Sequence, residues 1–225
     1  MTNNDTATWL DLYDYRAHVA SIYRERDSAL RAGEDESRTL ATFRAARDRL
    51  FAEHPQSALN PDQRSRFVGL SYFPYNPLLR VEAIMTPEPP TDRVIEAADG
   101  PHTLPMRPTA RLAFTVEDKP QQLTVYWIDV YGGGLFLPFR DATCPDECYG
   151  GGRYLFDTVK GSDFLRLDHP DDAPLGYRGG RLILDFNYAY NPSCAYDSRW
   201  VCPLAPRENW LAVPIRAGEK RWDDH

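Results

Sequence analysis

The sequence predicts a mainly β, α+β protein: an antiparallel β-barrel or sandwich with two N-terminal helices packed on it. Three observations carry that prediction. Apolar residues recur at helical spacing only ahead of His54. From about Phe67 the chain becomes a series of seven short runs rich in Val, Ile, Tyr and Phe, separated by Pro, Gly and Asp. No helical pattern intervenes between those runs, which argues against βαβ units. Residues 1–60 read as a helical segment and 61–225 as the β segment, the two forming one structural unit.

In the first helix Trp9, Leu12, Val19 and Ile22 form the apolar stripe, with Arg16, Arg24 and Arg26 among charged neighbours. "RAGEDES" (31–37) breaks it at Gly33, and Ser37 reads as the N-cap of a second helix carrying Leu40, Phe43, Leu50 and Phe51. "HPQSALNP" ends that helix, because a residue before proline is pushed out of the α region. The β runs are "LRVEAIM", "RVIEA", "ARLAFTVE", "QLTVYWIDVY", "LFLPF", "RYLFDTV" and "RLILDFNYAY", with "EDKPQQ" as a hairpin turn.

Composition narrows the function classes. The chain has 225 residues, 42% hydrophobic and 26% charged, enough to bury a core. A net charge of −7 argues against a general nucleic-acid or anionic-membrane binder. Only Lys119, Lys160 and Lys220 among the 26 Lys+Arg are lysine, a skew that a GC-rich coding bias explains. No run approaches the roughly 20 apolar residues of a membrane helix, and the polar, acidic start lacks the apolar core of a signal peptide. The expected location is the cytoplasm, where thiols stay reduced.

Two glycine stretches, "YGGGLFLPFRD" and "YGGGRYLFD", lack the G-x-G-x-x-G and P-loop patterns. Strand follows both, so they read as bends or close backbone approaches. Four cysteines, Cys144, Cys148, Cys194 and Cys202, could supply a tetrahedral zinc site. Neither pair has knuckle spacing, and His18, His54, His102, His169 and His225 show no ligand spacing with them. Inert buried cysteine is the better-supported reading, and no cofactor is favoured over that zinc alternative.

The strongest functional signal is polar. In "RLILDFNYAY" a two-residue period puts Ile183, Asp185 and Asn187 on one face, although Asp and Asn are depleted in strands. Arg153 and Asp157 share a face in "RYLFDTV", and Arg140 and Asp141 end another run. Turned inward, these faces would make a pocket in which arginines hold an anionic or polyhydroxylated ligand. Asp185 or Glu208 could then act as acid or base of a hydrolase or lyase, with Asn209 serving the same pocket or bonding loop backbone. The alternatives are solvated, turn-capping polar groups, a protein-interaction module using the aromatic Tyr196–Trp210 loop, and the cysteine metal site.

The run "DFNYAYNPSCAYDSRWVCPLAPREN" (185–209) resembles the signature of a bacterial domain-of-unknown-function family, numbered sixteen eighty-four. "HPQS", "GLSYFPYNP", "LFLPFRDAT", "YGGGRY" and "IRAGEK" extend the resemblance over about residues 40 to 221. It implies no established chemistry. It does imply that Arg140, Asp141, Tyr149, Arg153, Tyr154, Asp185, Asn187, Tyr190, Asn191, Cys194, Tyr196, Cys202, Glu208 and Asn209 fall on motif positions. Where members carry a run such as T-N-G-K-E-T-Y, this chain has "TCPDECY", so Cys144 and Cys148 depart from the pattern and Cys194 and Cys202 keep to it.

Overall fold

The computed structural model describes residues 8–89, 91, 95–96, 104–165 and 180–223. His102, His169 and His225 therefore lie outside the described residues, as does most of the "RVIEA" run. Helix α1 (Trp9–Arg31) begins at Thr8, whose hydroxyl accepts the Asp11 N–H at 3.2 Å while the Asp11 carboxylate accepts the Thr8 N–H. Gly33, in left-handed backbone at φ 78°, stands just past its end. Helix α2 (Glu36–Glu53) is capped by Asp35, not by Ser37: the Asp35 carboxylate accepts the Arg38 N–H at 2.8 Å. Pro55 holds His54 extended (ψ 137°), which stops the helix. A short helix α3 (Pro61–Arg66) was not expected, although Asn60 and Gln63 form a capping box around an N1 proline.

Helices α1 and α2 run antiparallel, since Tyr23 meets Phe43 mid-length and His18 meets His54 at one end. Val19, Tyr23, Leu40, Phe43 and Leu50 pack together and onto Tyr188 from the β segment. Trp9 departs from the predicted stripe and is 86% exposed.

The seven strands are β1 (Arg80–Pro87), β2 (Ile95–Glu96), β3 (Pro105–Val116), β4 (Lys119–Ile128), β5 (Gly134–Phe139), β6 (Arg153–Asp157) and β7 (Arg181–Asp185). They form one antiparallel sheet in the order β6-β5-β4-β3-β1-β7, with β2 beside β3. The sheet curls into a half-barrel, so the sandwich alternative is not adopted. The chain after β6 folds back through the bridges Asp157–Ser162 and Leu165–Ile183, tying β6 to β7 at the far edge.

Strand β3 shows why the sheet curls around a core. Its even positions, from Met106 to Val116, are buried and its odd positions are not, the two-residue period of a half-buried strand. The β3–β4 turn lies at Glu117 and Asp118 (φ 49° and 59°), a two-residue turn whose left-handed backbone matches strand twist. Leu112, Leu123, Leu137, Phe139, Phe186 and Ile215 fill the interior. The glycines act as close approaches: a Cβ on Gly152 (φ 91°) would sit 2.5 Å from the Phe139 carbonyl oxygen. No helix among the described residues is long and apolar enough to cross a membrane.

Candidate functional site

Strand β7 ends at Asp185, earlier than the ten-residue run suggested, and Phe186–Tyr188 forms a 3-10 turn. The Asp185 side chain caps that turn, accepting the Asn187 backbone N–H at 3.0 Å and the Asn187 Nδ2 at 2.8 Å. Both residues are buried, yet the guanidinium beside the acid is Arg80, 3.8 Å away and directly across in the β1–β7 register. Asn187 is held by Asn76, giving and receiving a backbone bond at 2.9 Å each. Burial, the largest influence, raises the Asp185 carboxyl above its ordinary value of 3.8, against the lowering pull of Asn187 and Arg80.

Arg153 and Asp141 meet elsewhere, in a fully buried ion pair at 2.8 Å. Arg153 also donates to the carbonyls of Ile215 (2.8 Å), Ala217 (2.5 Å) and Glu219 (3.0 Å). Asp141 accepts the backbone N–H groups of Thr143 and Ile215, both at 2.9 Å. Arg140 lies over the Trp210 ring at 4.5 Å and donates to the Gly150 and Cys144 carbonyls. Asn209 joins β4 to β5: its Oδ1 accepts the Thr124 N–H, and its Nδ2 donates to the Thr124 and Pro138 carbonyls. Glu208, beside it, is exposed. The described structure thus does not gather Arg140, Arg153 and Asp185 into one pocket.

Four of the sequence-derived candidates do converge. Tyr154, Tyr190, Asn191 and Tyr196 line a cavity of about 50 Å³ between the helical pair and the β segment, together with Tyr15 from α1 and Arg47 from α2. Lys160, Ser162 and Ser193 add to its polar lining. Behind it, Glu219 (1% exposed) accepts from Arg47 Nε at 2.5 Å, from the Asn191 N–H at 2.8 Å and from the Tyr196 hydroxyl at 2.5 Å. The Tyr190 and Ser162 hydroxyls are 2.5 Å apart, and Tyr154 donates to the Pro203 carbonyl. Burial holds the Tyr190 and Tyr196 phenols well above their ordinary range, so both stay neutral donors at pH 7.

One buried group in this cavity lacks a partner. Asn191 donates its Nδ2 to the Lys220 carbonyl at 2.7 Å, which leaves its buried Oδ1 with no hydrogen bond. Lys160, 45% exposed, stands 3.9 Å from Asp157. The sequence reading missed Arg47, Lys160, Ser162 and Glu219 as site residues. Glu219 lies in the quoted "IRAGEK" run, the one signal that could have pointed to it.

The cysteines form two pairs. Cys144 and Cys148 pack against Phe73, whereas the Cys194 Sγ lies 3.6 Å from the Tyr149 hydroxyl and Cys202 receives the Cys194 N–H. Among the described residues, no three of them come together as metal ligands. Asp14, His18 and His54 do cluster, in a groove of about 510 Å³ between α1 and α2. The Gln56 N–H donates to His54 Nδ1 at 3.0 Å, so the ring proton occupies Nε2, facing Asp14 at 3.2 Å. A metal would need that nitrogen's lone pair, so the cluster is a hydrogen-bonded one. A further cavity of about 210 Å³, at Met85, Val125, Leu135, Phe156 and Leu182, is almost wholly apolar.

The loop aromatics divide. Tyr196 is buried against Phe51 and Trp222, and Trp200 donates to the Ala58 carbonyl, while Trp210 is 46% exposed.

No curated protein matches the chain. The solution NMR structure of an uncharacterized protein from Haloarcula marismortui is similar, at 33% identity and a TM-score of 0.57, covering 81% of this chain and 92% of that one. Residues 65–220 match the model of a family described as a protein of unknown function, DUF1684. That span includes the half-barrel, Tyr154, Tyr190 and Tyr196 of the cavity, Glu219 and the cysteines, and the chain belongs to the DUF1684 family.

Proposed function

We propose that the protein binds a small carboxylate bearing a hydroxyl or amino group, seated in the cavity between the helical pair and the β segment. The observation that carries this reading is the Asn191 Oδ1, a buried acceptor without a partner on a residue that lines the cavity. An unpaired buried acceptor costs about 1–3 kcal/mol, which a ligand donor would relieve. Lys160, a lining residue that is 45% exposed, supplies a cation for the carboxylate. At about 50 Å³, against the roughly 10–15 Å³ one water needs, the cavity suits a ligand of few heavy atoms. The reading is one of binding, since neither Asp185 nor Glu208 lines the cavity.

The test is thermal unfolding against a panel of glycolate, lactate, malate, serine and their uncharged amides. A carboxylate should raise the midpoint and its amide should not. Lys160→Met should weaken that carboxylate about tenfold, the scale of one hydrogen bond to a charged group, while Lys160→Arg keeps most of the affinity. A flat panel, or equal binding by wild type and Lys160→Met, defeats the reading. The apolar cavity favours a second one, an aliphatic ligand in the half-barrel. Stabilisation by octanoate and octanol alike, untouched by Lys160→Met, would select it instead.

A further inference from the structure

We propose that Cys194 and Cys202 are a redox-active dithiol, closed to an intrachain disulfide by exchange with low-molecular-weight disulfides and reopened by small thiols. The inference is independent of the ligand proposed above. It starts from the contrast between the two cysteine pairs. Cys144 and Cys148 are buried, and their sulfurs face acceptors: the Asp141 carboxylate at 3.9 Å and the Glu219 carbonyl at 3.8 Å. The Cys148 thiol brings Cys144 down to about 7 and Cys148 itself is raised, but burial of both keeps an incoming disulfide from either sulfur.

Cys194 and Cys202 differ in access, since Cys194 is part-exposed. The Cys202 Sγ accepts the backbone N–H of Cys194 at 3.4 Å, which sets the two cysteines side by side. The hydrogen bond from the Cys194 thiol brings Cys202 down to about 6 despite its burial, with the Lys160 cation and the N–H groups of Cys194 and Ser193 adding to the effect. Cys194, as the donor, is raised. One proton is therefore shared between two sulfurs at neutral pH. Cys194 is part-exposed and Cys202 buried, so an incoming disulfide meets Cys194 first.

The exchange balances. The shared proton moves to Cys202, and the Cys194 thiolate attacks one sulfur of R–S–S–R, breaking that bond and expelling R–S⁻. Cys202 then gives its proton to the expelled thiolate, attacks the Cys194 sulfur of the mixed disulfide and expels the second R–S⁻, which takes its proton from solvent to replace the one already lost. The protein gives up two electrons, and the small disulfide becomes two thiols.

The reduced full chain is incubated with glutathione disulfide, alkylated after denaturation and mapped by mass spectrometry. The expected product has lost two hydrogens, carries a bridge between Cys194 and Cys202, keeps Cys144 and Cys148 alkylatable, and returns to four thiols in excess reduced glutathione. Cys202→Ser should stop at a single glutathionyl group on Cys194. Because that variant could misfold, the wild type supplies a second measurement. Its rate of exchange with an aromatic disulfide should rise through a midpoint near 6, the value at which Cys202 loses its proton. Four free thiols after oxidation, a bridge at Cys144–Cys148, a bridge that resists reduced glutathione, or a midpoint at the ordinary thiol value would each overturn the proposal.

Discussion

Asp185 shows how one residue can satisfy a sequence pattern and still do a different job. Its carboxylate is buried and accepts two bonds from Asn187, which fixes the 3-10 turn after β7. Burial raises its pKa above 3.8 in the fold, so the folded state holds the proton more tightly than the unfolded chain. A raised carboxyl contributes stability below the unfolded value and loses it as pH climbs from about 3.8 through the folded value. Asp185→Asn keeps an acceptor for both Asn187 donors and removes the titration. Urea unfolding between pH 4 and 7 should therefore show a less negative slope of stability with pH in Asp185→Asn than in wild type. An unchanged slope would mean that the carboxyl is not desolvated. Asp185 and Asn187 were legible as buried polar residues because the alternation that flags them is local. Their partners, Arg80 and Asn76, were not, because strand pairing and turn geometry bring those residues in from more than a hundred positions away.

Among the elements, boundaries are where local sequence signals compete. Ser37 and Asp35 are both good cap residues two positions apart, and the chain uses Asp35. Asp35→Ala should cost about 1 kcal/mol in urea unfolding and Ser37→Ala only a few tenths; equal losses would contradict the assigned cap. The strands were legible throughout because alternation and β-branched content repeat within each run. The end of β7 was not, since "RLILDFNYAY" alternates past Asp185 while the Asp185–Asn187 bonds pull the backbone into a turn.

On the scale of the whole molecule, the Arg47–Glu219 pair ties helix α2 to the C-terminal segment across 172 positions. Glu219 is buried with three donors, and removing its cation would leave a charge without compensation. Arg47→Met should cost about 3–5 kcal/mol in urea unfolding, and Arg47→Met with Glu219→Met distinctly less than the two single losses combined. Additive losses would show that the two side chains do not depend on each other.

By itself, the sequence determined the class of the protein, the two long helices and the positions of the seven strands, and its resemblance to the family put Tyr154, Tyr190, Asn191 and Tyr196 on motif positions. Hydrophobic period and turn chemistry act over a few residues, so a single chain displays them. Only the tertiary structure decided that Arg153 pairs with Asp141, that Arg80 faces Asp185, and that Arg47 and Lys160 join the tyrosines at one cavity with Glu219 behind it. Those choices follow from strand register and helix docking, which bring together side chains that no local pattern connects.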